Sequence, residues 1–281
     1  MKAVEYAEKA NEIFVLSDSF LRIKELIDDE TSTIDDIAEV ILIDPALSAT
    51  VLKLANSSFF NYPGKIDTIS KAVLVLGITE VYNLVIAYFT TDAFKKIDAD
   101  AKYLENYWEC SVDCALLIKY LGESLRVPNA ERLFILGLLH NLGELVVKQF
   151  MPEQLAACQP DSAESMPWQL QQQSLGFTFG ECTAELLKIW QLPYSLIEPV
   201  REQDNDDLSH ASDETKLLYL AKRLMWHNSH FPKESLDKFI AKEQLEAFTV
   251  DKELVRAAVN YCDLERLAVL SVLKPSSLMI Y

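Results

Sequence analysis

The sequence predicts an all-α fold, and three observations support this. Apolar residues recur at the three- and four-residue spacing of an amphipathic helix along nearly all of the 281 residues. Only 7 glycines and 10 prolines interrupt the chain, so its elements should be long. No segment shows the polar and apolar alternation of a convincing strand. Because 50% of the residues are hydrophobic, the chain has enough apolar material for one large domain or two smaller lobes.

Helix boundaries in the first third of the chain are marked by capping residues. Asp35 and Asp36 lie in the first turn of a predicted helix, where acidic side chains are favoured. The pair Asp44-Pro45 predicts a cap followed by proline at the first helical position. Gly77 predicts a left-handed residue at the end of a short helix. Helices are therefore predicted within the segments 3–14, 31–44, 46–56, 68–77 and 79–94.

The rest of the chain is predicted to be helical as well. Asn129 is expected to cap a helix that continues to about residue 149, and Thr178 with Glu181 forms a capping box. Residues 158–167 are the clearest loop. Further helices are predicted over 103–121, 178–190, 213–228, 234–247 and 251–270, with another after residue 193. The polar segment 95–103 indicates a boundary between an N-terminal lobe, 1–97, and a second lobe with a C-terminal extension, 98–281, within one unit.

Composition argues against several classes of function. A formal net charge of −17 repels phosphate backbones, so we expect no nucleic-acid partner. The five cysteines are an odd number without a CxxC pair, which is typical of reduced thiols in a cytoplasmic protein. We expect no membrane association, because the N-terminus carries acidic residues and no apolar run reaches the roughly 20 residues of a bilayer span.

Histidine is scarce, and one histidine stands out. His140 lies alone in the apolar run "LFILGLLHNLGELVV" (133–147), where a buried, hydrogen-bonded residue is the simplest interpretation. His227 and His230 have a spacing that could hold a metal, but no carboxylate or cysteine is evidently arranged with them. GxSxG, Walker A and GxGxxG motifs are absent from the sequence. The residues alone therefore indicate a helical protein without an evident active site.

Several segments nevertheless follow one family pattern in order. They are "ILIDPALSATVLKLANSSFFN" (41–61), "IDTISKAVLVLGITEVYNLVIAYF" (66–89), Trp108, "GLLHNLGEL" (137–145) and "LLKIWQLP" (186–193). The first two contain a DP-x-L helix, a leucine-rich segment ending in NS, and a short helix closed by LG. Over about residues 10–205 the chain resembles the HDOD domain of bacterial signalling proteins. The resemblance implies a multi-helix, two-lobed architecture similar to that of HD domains.

The resemblance also implies kinship with HD phosphohydrolases, which hold a divalent metal through histidines and a His-Asp pair. Such a site needs imidazoles and a carboxylate converging on one ion. In this sequence the corresponding positions are substituted: Asn141 for the aspartate, Ser111 near an earlier histidine, Phe179 for another, and Gln203 with Asp204 for a His-His pair. Glu144 replaces a typical lysine. "HNLG" therefore resembles an HD motif that has lost its acid.

The leading hypothesis is a non-catalytic HDOD signalling domain without a cofactor. It would bind a signalling protein in trans or a small effector, and a vestigial cleft at His140, Asn141, Ser111, Gln203 and Asp204 is the candidate ligand pocket. Alternatively, these side chains close on one another and leave no pocket. The competing hypothesis is a degenerate metal-dependent phosphohydrolase acting on nucleotides or cyclic dinucleotides. Its metal would be held by His140 with Asp204, or at a shifted site using Glu181 or Glu202.

Overall fold

A computed structural model describes residues 2–29, 31–57, 60, 62–128 and 130–273. These residues form sixteen α-helices joined by turns and short 3-10 segments, and no strand occurs among them, which confirms the predicted all-α fold. The helices are α1 (Ala3–Ile13), α2 (Asp18–Asp28), α3 (Ile34–Ile43), α4 (Pro45–Ala55), α5 (Ile69–Leu76), α6 (Ile78–Ala93), α7 (Ala101–Ser124), α8 (Glu131–Leu139), α9 (Leu142–Phe150), α10 (Pro152–Leu155), α11 (Pro167–Leu175), α12 (Phe179–Ile189), α13 (Tyr194–Glu202), α14 (Asp213–His230), α15 (Lys242–Ala247) and α16 (Lys252–Leu273).

The chain divides into two compact units, whose composition differs from the predicted lobes. The first unit contains the residues up to Phe14 together with Ile97–Asp263. The second contains Val15–Lys96 and the described residues from Leu264 onward. Helix α1, which the prediction assigned to the N-terminal lobe 1–97, belongs to the first unit. The face of α1 that carries the buried Ala7 and Ala10 packs with α9 and α12 of that unit. The last part of α16, from Leu264 onward, which the prediction assigned to the lobe 98–281, belongs to the second unit.

In the second unit, the predicted cap at Asp44 is present. Asp44 Oδ1 accepts hydrogen bonds from the backbone N–H groups of Ala46 and Leu47, at 2.9 and 3.0 Å, and Pro45 occupies the first turn of α4. Gly77 has the predicted positive φ of 91°, but its ψ of 158° places it outside the left-handed helical region. The prediction of a left-handed cap was therefore wrong, and Gly77 instead joins α5 directly to α6 in a more extended conformation.

The first unit is organised around the long helix α7, which contacts both α8 and α14. Asp100 caps α7 by accepting a hydrogen bond from the Tyr103 N–H. The single helix predicted from Asn129 to residue 149 is interrupted: α8 ends at Leu139, and α9 begins at Leu142. Asn129 itself lies outside the described residues. The predicted helix over 234–247 is shorter than expected and is reduced to α15 with a 3-10 turn before it.

The segment Arg132–Phe150 is long and apolar enough to cross a membrane by composition alone. In the folded protein, 72% of its most apolar window is buried. That degree of burial is typical of a core helix, because the apolar side chains are already covered by neighbouring helices. The segment therefore forms part of the interior of the first unit.

Candidate functional site

His140 lies in the turn between α8 and α9 and is 1% exposed. Its Nδ1 lies 2.6 Å from the Gly137 carbonyl oxygen, so Nδ1 carries the proton and donates it. Burial and, to a smaller extent, the positive charge of Lys222 together lower the pKa of His140 to about 3. His140 is therefore a neutral, hydrogen-bonded core residue at physiological pH, as the simplest interpretation of the sequence holds.

Asn141 and Glu144 form a hydrogen-bonded group next to His140. Asn141 Nδ2 donates to Glu144 Oε2 at 2.6 Å, and Tyr103 Oη donates to Glu144 Oε1 at 2.9 Å. Burial raises the pKa of Glu144, against the opposing effect of these two donors. The amide that replaces the aspartate of an HD motif therefore serves as a donor to a neighbouring carboxyl group, a role that an ionised aspartate would not fill.

Gln203 fixes the backbone of the turn at His140. It is fully buried, and its Nε2 donates to the carbonyl oxygens of His140 and Val200, both at 2.8 Å. Its Oε1 is buried without a hydrogen-bond partner among the described residues. Gln203 thus connects the end of α13 to the turn between α8 and α9. Its side-chain amide group is used for these hydrogen bonds.

Asp204 is committed to an ion pair. Lys222 Nζ lies 2.6 Å from Asp204 Oδ1, and the two side chains are only 6% and 8% exposed, respectively. The same ammonium group lies 5.2 Å from the centre of the Trp168 ring. Its charge affects the pKa values of both His140 and Glu144. A protein-borne cation therefore lies close to His140, within the predicted cleft.

A cavity of about 200 Å³ opens beside His140. Its wall includes three of the predicted cleft residues, Ser111, His140 and Asn141. Gln203 and Asp204 are not among the described residues that line it. The remaining lining residues are Tyr103, Asn106, Tyr107, Cys110, Glu144, Gln159, Met225, Trp226 and His230. The candidate pocket is thus present, but only three of the five predicted residues are among the described residues that line it. That a ligand binds there stays a prediction.

The residues at this site do not fit a metal ion. Among the described residues, no group of three or more histidine, cysteine or acidic side chains could hold one. Asp204 is paired with Lys222, and Glu181 accepts a hydrogen bond from the Thr178 N–H at the start of α12. Glu202 accepts one from Asn205. The acidic residues that the sequence suggested as metal ligands, Asp204, Glu181 and Glu202, therefore each have a different local partner.

The two remaining candidate histidines, His227 and His230, each contact a partner of their own. His227 Nε2 lies 2.9 Å from the Glu234 carbonyl oxygen, which accepts its proton. The His230 ring stacks on Trp226 with a centroid distance of 3.7 Å, and burial lowers the pKa of His230. The two imidazoles therefore face different neighbours instead of one shared ion.

Replacement of His140 by asparagine should remove part of the pH dependence of stability. The pKa of His140 falls from 6.5 to about 3 on folding. Between these two pH values the imidazole is protonated in the unfolded chain and neutral in the folded chain. The free energy of unfolding should therefore fall by about 1.4 kcal/mol per pH unit below about pH 6.5, and be unaffected above it. Urea unfolding between pH 5 and 8 should show this slope in the wild type and its loss in His140→Asn.

Asparagine is the suitable replacement because its side-chain amide can still donate to the Gly137 carbonyl group. The raised pKa of Glu144 acts with the opposite sign and is common to both proteins, so the difference between them isolates His140. His210→Asn, at an exposed loop position, should keep the wild-type profile. Identical profiles for His140→Asn and the wild type would show that folding does not lower the pKa of His140.

Lys222, Tyr103 and Trp226 are the site residues that sequence reasoning did not single out. Lys222 and Arg223 are charged residues that directly follow the buried apolar run Leu217–Ala221 in the middle of helix α14, and both are buried. A charged pair within a helical apolar stripe indicates a buried partner, because an isolated internal charge is costly. That signal could have identified Lys222, whereas Tyr103 and Trp226 look like ordinary core aromatics in the sequence.

Comparison with known proteins places the chain among proteins of one family. The model of the HDOD domain matches residues 13–206. A relative from Treponema pallidum (strain Nichols), described only as an uncharacterized protein, is 31% identical over 219 residues, which are 77% of this chain and 42% of the relative. The chain thus spans about two fifths of the length of that curated relative.

Solved structures share the fold. A candidate phosphohydrolase from Shewanella amazonensis SB2B has a TM-score of 0.71 at 23% identity, covering 96% of this chain and 97% of the other. An HDOD domain protein with unknown function from Geobacter sulfurreducens has a TM-score of 0.70 at 21% identity, with coverage of 96% and 97%. At these identities the similarity supports the fold alone.

Proposed function

The chain belongs to the HDOD domain family, and we propose that it acts as a non-catalytic binding domain in signal transduction. The observation that carries this proposal is the state of the polar groups around His140. Asp204 is neutralised by Lys222, Asn141 donates to Glu144, and His140 is uncharged and buried. Hydrolysis of the HD type needs several ligands that converge on one metal ion and activate a water. The groups at this site are instead satisfied by one another.

The partner that we propose is a signalling protein in trans, with a small effector bound in the cavity beside His140. The net charge of −17 favours a protein surface or a small molecule over nucleic acid as the partner. The proposal places the protein in the cytoplasm and away from membranes, since its five cysteines form no disulfide among the described residues and its most apolar helical segment is largely buried.

Metal binding is the property that separates this proposal from a degenerate phosphohydrolase. The purified protein should contain no stoichiometric metal by elemental analysis. Titration with Mn²⁺, Mg²⁺ and Zn²⁺ should leave the melting temperature unchanged. A specific site would instead stabilise the fold by about 2.7 kcal/mol at a hundredfold excess over Kd, which a thermal-shift assay detects readily.

His140→Ala and Asp204→Ala are the variants that make this experiment decisive. If one equivalent of metal co-purified with the wild type and was lost in both variants, the non-catalytic proposal would be overturned. Hydrolysis of nucleotides and cyclic dinucleotides would then be the next activity to assay. Any nonspecific binding of Zn²⁺ to surface carboxylates or thiols should survive in both variants.

A further inference from the structure

The cavity beside His140 has an unusual balance of charge. Glu144 is the single acidic residue that lines it, and no lysine or arginine occurs among its described lining residues. The two hydrogen bonds that Glu144 accepts come from neutral groups, Tyr103 Oη and Asn141 Nδ2. The nearby Lys222 is already paired with Asp204 at 2.6 Å. Glu144 is therefore a sequestered carboxyl group without a cation of its own in the cavity wall.

Aromatic side chains form part of the cavity wall around Glu144. Tyr103, Tyr107 and Trp226 contribute rings, and His230 stacks on Trp226. The indole Nε1 of Trp226 is buried and has no hydrogen-bond partner among the described residues. Buried donors are normally paired, so an unpaired donor beside a cavity indicates hydrogen-bonding capacity that is left for an occupant. Aromatic rings combined with a carboxyl group are the surroundings that favour a bound organic cation.

We propose that this cavity binds a small planar organic cation, with a protonated nitrogen paired to Glu144 and the ring lying against the aromatic side chains. This inference rests on the proposed binding function and names the ligand class of the same site. At about 200 Å³ the cavity is below the roughly 300–1,000 Å³ of pockets for drug-sized ligands, so a single-ring compound is the appropriate size.

The same geometry argues against a phosphate-bearing ligand in the cavity. A phosphate group would approach Glu144 without a cationic lining residue to balance either charge. Two like charges in a partly desolvated site repel each other strongly, and neither would recover its lost hydration. Nucleotides and cyclic dinucleotides should therefore bind more weakly here than a cation of similar ring size.

Three nearly isosteric probes test the inference directly. Benzamidinium, benzamide and benzoate share one ring and carry charges of +1, 0 and −1. Binding to the wild-type protein, measured by titration calorimetry, should follow that order. Benzamidinium should bind at least about tenfold more tightly than benzamide, as expected for a hydrogen bond to a charged partner. Benzoate should show the weakest binding of the three.

Two variants assign the binding to this cavity. Glu144→Gln should reduce the affinity for benzamidinium to that for benzamide, whereas Glu153→Gln, at an exposed acid on α10, should change neither. Because Glu144→Gln alters a buried hydrogen-bond group, a second variant, Asn106→Trp, fills the cavity from an exposed lining position. It should abolish binding while leaving the melting temperature unchanged.

The outcomes separate this inference from the proposed function. Benzoate binding as tightly as benzamidinium, or an unchanged preference in Glu144→Gln, would overturn the assignment of an organic cation. Failure of all three probes to bind the metal-free wild type would overturn it as well, while leaving a non-catalytic domain that binds only a protein partner. Stoichiometric metal at His140 and Asp204 would instead overturn the proposed function itself.

Discussion

Replacement of Lys222 by methionine is expected to lower the free energy of unfolding by about 3–5 kcal/mol, the cost of leaving one member of a buried ion pair without its partner. Lys222 and Asp204 are 2.6 Å apart and both side chains are nearly inaccessible to solvent. Asp204 Oδ2 has no hydrogen-bond partner among the described residues, so Lys222 is the hydrogen-bond donor on which the Asp204 carboxylate depends. Urea unfolding followed by circular dichroism measures the loss.

A double variant separates the charge effect from the loss of packing. Lys222→Met combined with Asp204→Leu removes both charges, and it should recover most of the lost stability, because a buried ion pair is often no more stabilising than apolar residues of similar volume. Lys216→Met, which breaks the more exposed pair with Asp213, should change stability by less than about 1 kcal/mol. If the double variant were as unstable as Lys222→Met alone, Lys222 would act through packing and not through Asp204.

The ion pair also explains why the sequence could not show whether Asp204 is available as a metal ligand. Asp204 has the carboxylate of a potential ligand, and nothing in its local sequence shows that it is occupied. Its partner is 18 residues further along the chain on α14. The charge of Lys222 also lowers the pKa values of His140 and Glu144. An internal cation thus supplies the positive charge that the sequence hypothesis assigned to a metal ion.

The parts of the fold that sequence predicted correctly are those governed by neighbouring residues. The Asp44 cap and the Thr178–Glu181 capping box depend on side chains three residues or fewer from the backbone groups they bind. Helix α2 was missed, although Ser17 caps it by accepting from the Phe20 N–H. A single serine before a short segment is a weak signal, because serine is equally common in turns.

The interruption of the helix at His140 was missed for a different reason. The run from Leu133 to Val147 is apolar with helical spacing throughout, so periodicity alone predicts one continuous helix. The break is held by contacts between distant parts of the chain. Gln203, which is 63 residues from His140, binds its carbonyl oxygen, and Thr183 accepts from the N–H of Gly143 at 2.7 Å. Long-range contacts of this kind leave no periodic signal in the sequence.

Substitution of Gly143 by alanine tests how closely α9 must approach α12, and it should destabilise the protein by about 1–3 kcal/mol, as overpacking of a core does. A Cβ atom at Gly143 would lie 2.2 Å from the carbonyl oxygen of Phe179 and 2.9 Å from its carbonyl carbon. Both are backbone atoms, so no side-chain rotation relieves the overlap. The same carbonyl oxygen accepts a hydrogen bond from Thr183 Oγ1 at 2.8 Å, which holds it in place.

Movement of α9 should also disturb the cavity, because Glu144 directly follows Gly143 on that helix. Gly143→Ala should therefore weaken benzamidinium binding as well as lower the melting temperature. Gly64→Ala is the matched control: its nearest neighbour is the exposed end of the Tyr62 ring, which can move aside, so the stability should change by no more than about 0.5 kcal/mol. Equal stability of the two variants would mean that α9 can shift away from α12 at little cost, and that the position of Glu144 is not fixed by this contact.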